Sequence, residues 1–315
     1  MIRIIYIILA SFLLASCDHK ELCYDHSHVM EVDISFDWSE SPEASPKSMS
    51  LYLFPEDGRE VQRYEFTRQN GGRIRLESGA YKAICLNSDT ENIRIPDKSS
   101  FDSFHLTTRS TEMLAHMANL GVRSEDVPRN KGVEDERIAM SPDSIWTGSL
   151  SELILKESDQ TVELIMKKRF STFNIELRNA ENLRHATAIS GCLTTLAESV
   201  YPGSGMLSSE DVTIPFEMKI NQKESIVQGS FLTFGHCSTE EKQHHITIYA
   251  VMSDGSKVYF TYDVTDQIHS SSDASQVVII LDGLKLPEPE LGGSGGGGFK
   301  PEVNGWNQID VSINM

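Results

Sequence analysis

Over much of the chain, hydrophobic positions alternate with polar ones. Val32, Ile34, Phe36 and Trp38 fall on one side of such a pattern, and Asp33, Ser35, Asp37 and Ser39 on the other. A period of two with polar partners predicts a half-buried antiparallel strand. The same reading covers residues 51–54, 73–76, 81–86 and 162–166, and Phe173 with Ile175 and Leu177. The stretch HHITIYAVMSDGSKVYFTYDVT predicts a hairpin, because Asp254-Gly255 sits between two alternating runs and both residues tolerate positive φ. Residues 276–281 form a continuous apolar run, read as a strand buried on both faces.

Helical signals are few. Residues 111–120 suit a short helix with Met113, Leu114 and Met117 on one side, and 145–155 is ambiguous. The span 87–144 is poor in strands and reads as long connections with some helix. Many short strands punctuated by turns predict an all-β protein built of antiparallel β-sandwiches. At 315 residues, two domains are the expectation. A polar break at Lys167-Lys168-Arg169 divides an amino-terminal sandwich, 29–168, from a carboxy-terminal one, 169–315.

Near the carboxyl end, the Pro-Glu repeat at 287–290 is a stiff piece, and the glycine-rich run at 292–298 a flexible tether. It delivers a last predicted strand, 303–314, in which Ile309, Val311 and Ile313 share a face. Such a strand needs an edge. It completes its own sandwich or adds to a partner's sheet, where main-chain hydrogen bonds supply the affinity. A short tether raises the effective concentration and favours the first.

The formal net charge of −18 argues against a nucleic-acid backbone or an anionic membrane surface as the main partner, since either would repel the chain. The amino terminus changes the picture further. MIRIIYIILASFLLASC has one early positive charge, an apolar run of signal-peptide length and small residues before Cys17. Leu14-Ala15-Ser16-Cys17 matches a bacterial lipobox, so residues 1–16 are expected to be a lipoprotein signal peptide and 17–28 a stem lipidated on Cys17. More than one acyl chain there anchors stably, at about 0.8 kcal/mol per buried methylene. The expected location is the outer membrane, on the cell surface. Lys20 and Glu21, within Asp18-His19-Lys20-Glu21, resemble a surface-export signal of Gram-negative anaerobes.

Three further stretches are informative together: Cys17 to His28, GAYKAICLNSDTE at 79–91, and 173–203 with the small-residue run Ala188-Ile189-Ser190-Gly191-Cys192-Leu193. With the ending FKPEVNGWNQIDVSINM, they resemble the fimbrillin-like and fimbrial anchor-type surface lipoproteins of Gram-negative anaerobes. The resemblance implies two tandem transthyretin-like β-sandwiches, fimbrial or other surface subunits as partners, and joining by strand exchange. No clear arginine-flanked propeptide site of the major fimbrillins is visible, which points to an anchor or accessory subunit rather than a shaft subunit.

Candidate chemistry is sparse. Cys23, His26 and His28, with His19 nearby, suggest zinc or copper, but no second cluster completes a four-ligand site. Asn87, Asp89 and Glu91 suggest a calcium loop that lacks its glycine and distal glutamate, which leaves an Asx-type turn. His236 near Cys237, with His244 and His245, has no flanking elbow for nucleophilic catalysis. No cofactor beyond the lipid, no metal and no catalytic residue is expected. The four cysteines other than Cys17 allow three pairings. Cys192 with Cys237 is the pair to test, and free core thiols are an equal alternative. The leading reading is a non-enzymatic surface lipoprotein of a fimbria-like assembly. The alternative is a glycan-binding lipoprotein that stacks sugar on Trp146 or Trp306.

Overall fold

The computed structural model describes residues 29–156, 158, 160–236, 242–288 and 305–309. Its amino-terminal part is built from β1 (Val29–Asp37), β2 (Met49–Pro55), β3 (Gln62–Phe66), β4 (Gly71–Glu77) and β5 (Gly79–Asn87), then three two-residue strands. These are β6 (Ile93–Arg94), β7 (Thr107–Thr108) and β8 (Arg137–Ile138), followed by β9 (Trp146–Leu155), β10 (Gln160–Ile165) and β11 (Lys167–Lys168). One sheet runs β10-β1-β4 and the other β11-β9-β5-β2-β3. Alternation decides their inner faces: Val32, Ile34 and Phe36 of β1 meet Leu51 and Leu53 of β2, Ala83 and Cys85 of β5, and Leu164 of β10. The ambiguous stretch 145–155 is strand, not helix.

The second part comprises β12 (Ser171–Arg178), β13 (Ala186–Ala197), β14 (Asp211–Asn221), β15 (Ile226–Thr233), β16 (His245–Met252), β17 (Lys257–Asp263), β18 (Gln276–Asp282) and β19 (Trp306–Gln308). They form one continuous path, β18-β12-β15-β14-β13-β16-β17-β19. β14 pairs with β13 through Asp211 to Glu217 and with β15 through Met218 to Asn221, so it carries the sheet around a corner. The two halves close on Phe173, Ile175, Ile246, Ile248, Phe260, Val277 and Ile279. The protein is therefore all-β, with sandwich architecture in both halves.

Three elements differ from expectation. The run at 276–281 is not buried on both faces. Among the described residues, β18 is an edge strand with β12 as its one strand neighbour, so Val277, Ile279 and Leu281 point inward while Val278 and Ile280 are exposed. The helix expected over 111–120 shrinks to a 3-10 turn, Ala115–Leu120. The span 87–144 is not a loose connection of the first sandwich, although the 29–168 division placed it there. Its β8 pairs in parallel with β14, and Leu106 exchanges backbone hydrogen bonds with Val200 at 2.8 and 3.0 Å. Met113, Leu114, Met117 and Val122 bury against Cys192, Tyr249 and Val251 of the second sandwich. Alternation could not reveal this, because the pairings join residues 75 and 94 positions apart.

The same long contacts seal the junction between the sandwiches. Tyr52, Phe54, Ile84 and Leu86, on the outer face of β2 and β5, pack with Phe101, Phe104 and Leu106 and with Val200 and Phe234 of the second half. This explains why β2 is buried along nearly its whole length instead of alternating.

Candidate assembly site

The predicted hairpin is present as β16 and β17, with Gly255 at φ 86° and the Asp254 carboxylate accepting from the Ser256 amide at 2.9 Å. β17 would be the free edge of the second sandwich, but the carboxy-terminal segment occupies part of it. β19 lies parallel to β17, with Trp306, Asn307 and Gln308 opposite Lys257, Val258 and Tyr259. The Ile309 amide donates to the Tyr259 carbonyl at 3.0 Å, and the Tyr259 hydroxyl donates to Gln308 Oε1 at 3.0 Å. Ile309 is partly buried against the sandwich core. Among the described residues, nothing pairs as a strand with the outer edge of β17 beyond Tyr259.

Under this strand lies a packed aromatic floor. Trp306 meets Tyr249 edge-on at 5.3 Å, and the Tyr249 hydroxyl donates to the Pro128 carbonyl at 2.6 Å. The Trp306 indole nitrogen is buried without an acceptor, so docking of this strand leaves one polar group unsatisfied, a cost of about 1–3 kcal/mol. The Lys257 ammonium is held by the Gly121 carbonyl at 2.6 Å, which ties the 3-10 turn to the same edge.

Of the residues singled out from sequence, Ile309 is placed at this edge, while Val311 and Ile313 lie outside the described residues. So do Cys17, Lys20, Glu21, the histidines of the stem and Cys237. Cys192 is a free, buried thiol 3.7 Å from the Tyr249 hydroxyl, and burial pushes its pKa up to about 11. The partner suggested for it, Cys237, is among the residues outside those described. Cys85 is likewise a free core thiol, raised by burial to about 12. Asn87 and Asp89 form a local turn, with Asn87 donating to Asp89 at 3.0 Å and Asp89 accepting from the Lys47 amide at 2.8 Å. Trp146 packs edge-on against Trp38 and Phe170, and Trp306 against Tyr249, so neither stands free as a platform. Sequence reasoning missed Tyr249 and Tyr259, whose role depends on which strand ends beside them.

The family described as a domain of unknown function, DUF5119, matches residues 16–217, about two thirds of the chain. The chain belongs to this family. DUF5119 thus spans the first sandwich, the long excursion and the strands of the second through most of β14. A Bacteroides ovatus protein described as a candidate fimbrium anchoring subunit, Fim4B, is 24% identical over 347 aligned positions, covering 96% of this chain and 95% of its own. Among solved structures, a candidate adhesin from Bacteroides ovatus superposes with a TM-score of 0.61 at 19% identity, over 83% of this chain and 95% of that one. A candidate polysaccharide-binding protein from Bacteroides thetaiotaomicron gives 0.51 at 11% identity, over 81% and 91%. These two likenesses are likenesses of fold.

Proposed function

We propose that this DUF5119 protein is a non-enzymatic, lipid-anchored outer-membrane subunit that anchors, or is an accessory of, a fimbria-like assembly on the cell surface, joined to its neighbour by strand addition. One observation carries the reading: among the described residues, the strand that follows a glycine-rich tether pairs with three residues of a seven-residue edge. A partner strand that paired along all of β17 would gain main-chain hydrogen bonds beyond those made by the described residues 306–309. The near full-length relative described as a fimbrium anchoring subunit supports the same role. Conversely, Ile309, Val311 and Ile313 on the released segment could enter a partner's edge. Both tryptophans offered for sugar stacking already pack on aromatic neighbours, which favours assembly over glycan capture.

Deletion of residues 299–315 tests it. The expected result is a folded subunit that no longer co-purifies with its surface partners in the normal ratio. A folded, monomeric deletion variant with unchanged co-purification would show that the strand is not the joint. The anchor is tested separately by metabolic labelling with a radioactive fatty acid. Label should enter the wild type and be absent from Cys17→Ala; absence from both would remove the lipid from the proposal.

A further inference from the structure

Three histidines far apart in sequence meet at the end of the second sandwich nearest the seam. His236 follows β15, His244 directly precedes β16, and His269 ends the short helix Thr265–His269. Their ring centroids lie 5.1 Å (His244 to His269), 5.5 Å (His236 to His244) and 5.6 Å (His236 to His269) apart. His244 Nε2 and His269 Nε2 are separated by 3.2 Å. Two imidazoles on one tetrahedral zinc ion, with Zn–N of about 2.0–2.1 Å, have nitrogens about 3.3 Å apart and centroids about 5.2 Å apart. All three sides of the histidine triangle are close to that spacing.

The orientation is also suited to a metal. His244 Nδ1 lies 3.4 Å from the Thr194 carbonyl, which can only accept, so Nδ1 carries the proton and Nε2 keeps its lone pair, accepting from His269 Nε2–H until a metal displaces that proton to His269 Nδ1 or to solvent. A backbone carbonyl on the far nitrogen is the usual way a metal-binding imidazole is held. Burial brings the His244 pKa down to about 4 and lowers that of His236, so neither lone pair is lost to a proton in neutral solution. Lys168 and Arg169 line the cleft beside His236 and His269, yet the charges that act on His236 and His244 are those of the other histidines. The Asp263 carboxylate is within electrostatic reach of His244 and His245. The cleft, of about 490 Å³, gives access from solvent.

As they stand, no three His, Cys, Asp or Glu side chains among the described residues are arranged to hold a metal ion. Here two nitrogens are hydrogen-bonded at the spacing a shared ion requires, and His236, stacked on His269 at 16°, needs its ring turned to join them. We propose that His236, His244 and His269 bind one zinc-class divalent transition-metal ion, leaving a fourth position for water or a donor atom entering through the cleft. This site does not depend on the assembly reading.

The test uses the full chain, stripped with chelator, and zinc titrated against a chromophoric competitor. Because the stem also carries histidines, a variant with His19, His26 and His28 changed to Ala is the reference, and it should keep one zinc equivalent. In that background His269→Gln, at a half-exposed helix end where folding is not at risk, should weaken binding at least tenfold, and His236→Gln should also weaken it. Calcium should not compete. Zinc binding that vanishes with the stem histidines, or is unchanged by His269→Gln in a protein with native circular dichroism, would overturn the proposal.

Discussion

His244 is fully enclosed, and taking its ring out of water makes the charged form costly. Its pKa falls from the ordinary 6.5 to about 4, chiefly through burial, with His236, His269 and His245 adding repulsion against the gain from the Thr194 carbonyl. In the unfolded chain the ring takes up a proton near pH 6.5, whereas the folded ring stays neutral down to about 4. The unfolded state therefore binds more protons in that window, and stability falls as pH drops through it, by at most about 1.4 kcal/mol per pH unit for this one group. In metal-free buffer, urea unfolding between pH 7 and 4.5 should show a shallower acid loss for His244→Gln than for wild type, even if the variant is less stable at pH 7. His236 contributes with the same sign and Asp263 remains in both proteins, so the difference reports His244 together with its charge coupling to those two groups. Equal slopes would mean that the ring is protonated in the fold as readily as outside it. The sequence marked these histidines as notable but could not bring His269 to them, because the helix that carries it is a single turn with no apolar stripe to announce it.

At the scale of elements, the small-residue strand β13 has a visible cause. A Cβ on Gly191 would come within 2.6 Å of the Phe216 ring, and one on Gly229 of β15 within 2.9 Å. Phe216 of β14 lies across both glycines and stacks on Phe231 at 4.7 Å. Gly191→Val should cost about 1–3 kcal/mol by overpacking, read as a lower urea midpoint with an unchanged m-value. Gly191→Val combined with Phe216→Leu should recover part of the loss, because the smaller side chain vacates the space; no recovery would assign the glycine to backbone conformation instead. Strand identity of this kind was legible from alternation for β1 and β12, each half-buried in the way a period of two requires; β5 and β16 are strands as read, but their outer faces are covered too, which the sequence did not show. It misled at β18, where the exposed Val278 and Ile280 look in sequence like a second buried face. The edge there is guarded: the Gln267 side-chain amide donates to the Ile280 carbonyl at 3.0 Å and accepts from its amide at 2.8 Å. That contact takes up backbone groups that an added strand would need, and it leaves the β17 edge as the better place for one.

For the whole molecule, the division into two sandwiches is crossed by the chain itself, and this bears on how it unfolds. The excursion leaves the first sandwich after β5, docks on the second and returns to begin β9. Arg137 holds it there, with Nε 2.7 Å from Glu198 and its terminal nitrogens donating to the Thr108 carbonyl and the Thr107 hydroxyl at 3.1 and 3.0 Å. Glu136 accepts from Thr213 at 2.6 Å and from the amide of Thr195, a residue at φ 63° in β13. Together with the apolar junction around Phe54, Phe104 and Phe234, this couples the halves strongly enough that neither should melt first. Calorimetry of the protein is expected to give one transition. Phe234→Ala, which opens a cavity at the junction and costs about 3–5 kcal/mol, combined with Arg137→Ala, should split it into two. A wild type that already melts in two steps would place the cooperative boundary at Lys168, where the polar break in the sequence suggested it, and would make the excursion a passenger on the second sandwich rather than a latch. A latch also matters for the proposed role. If the proposed lipid on the amino-terminal side and the proposed joint at the β17 edge are the two points of attachment, force between the first sandwich and the second passes through the junction, and a cooperative pair resists it as one body.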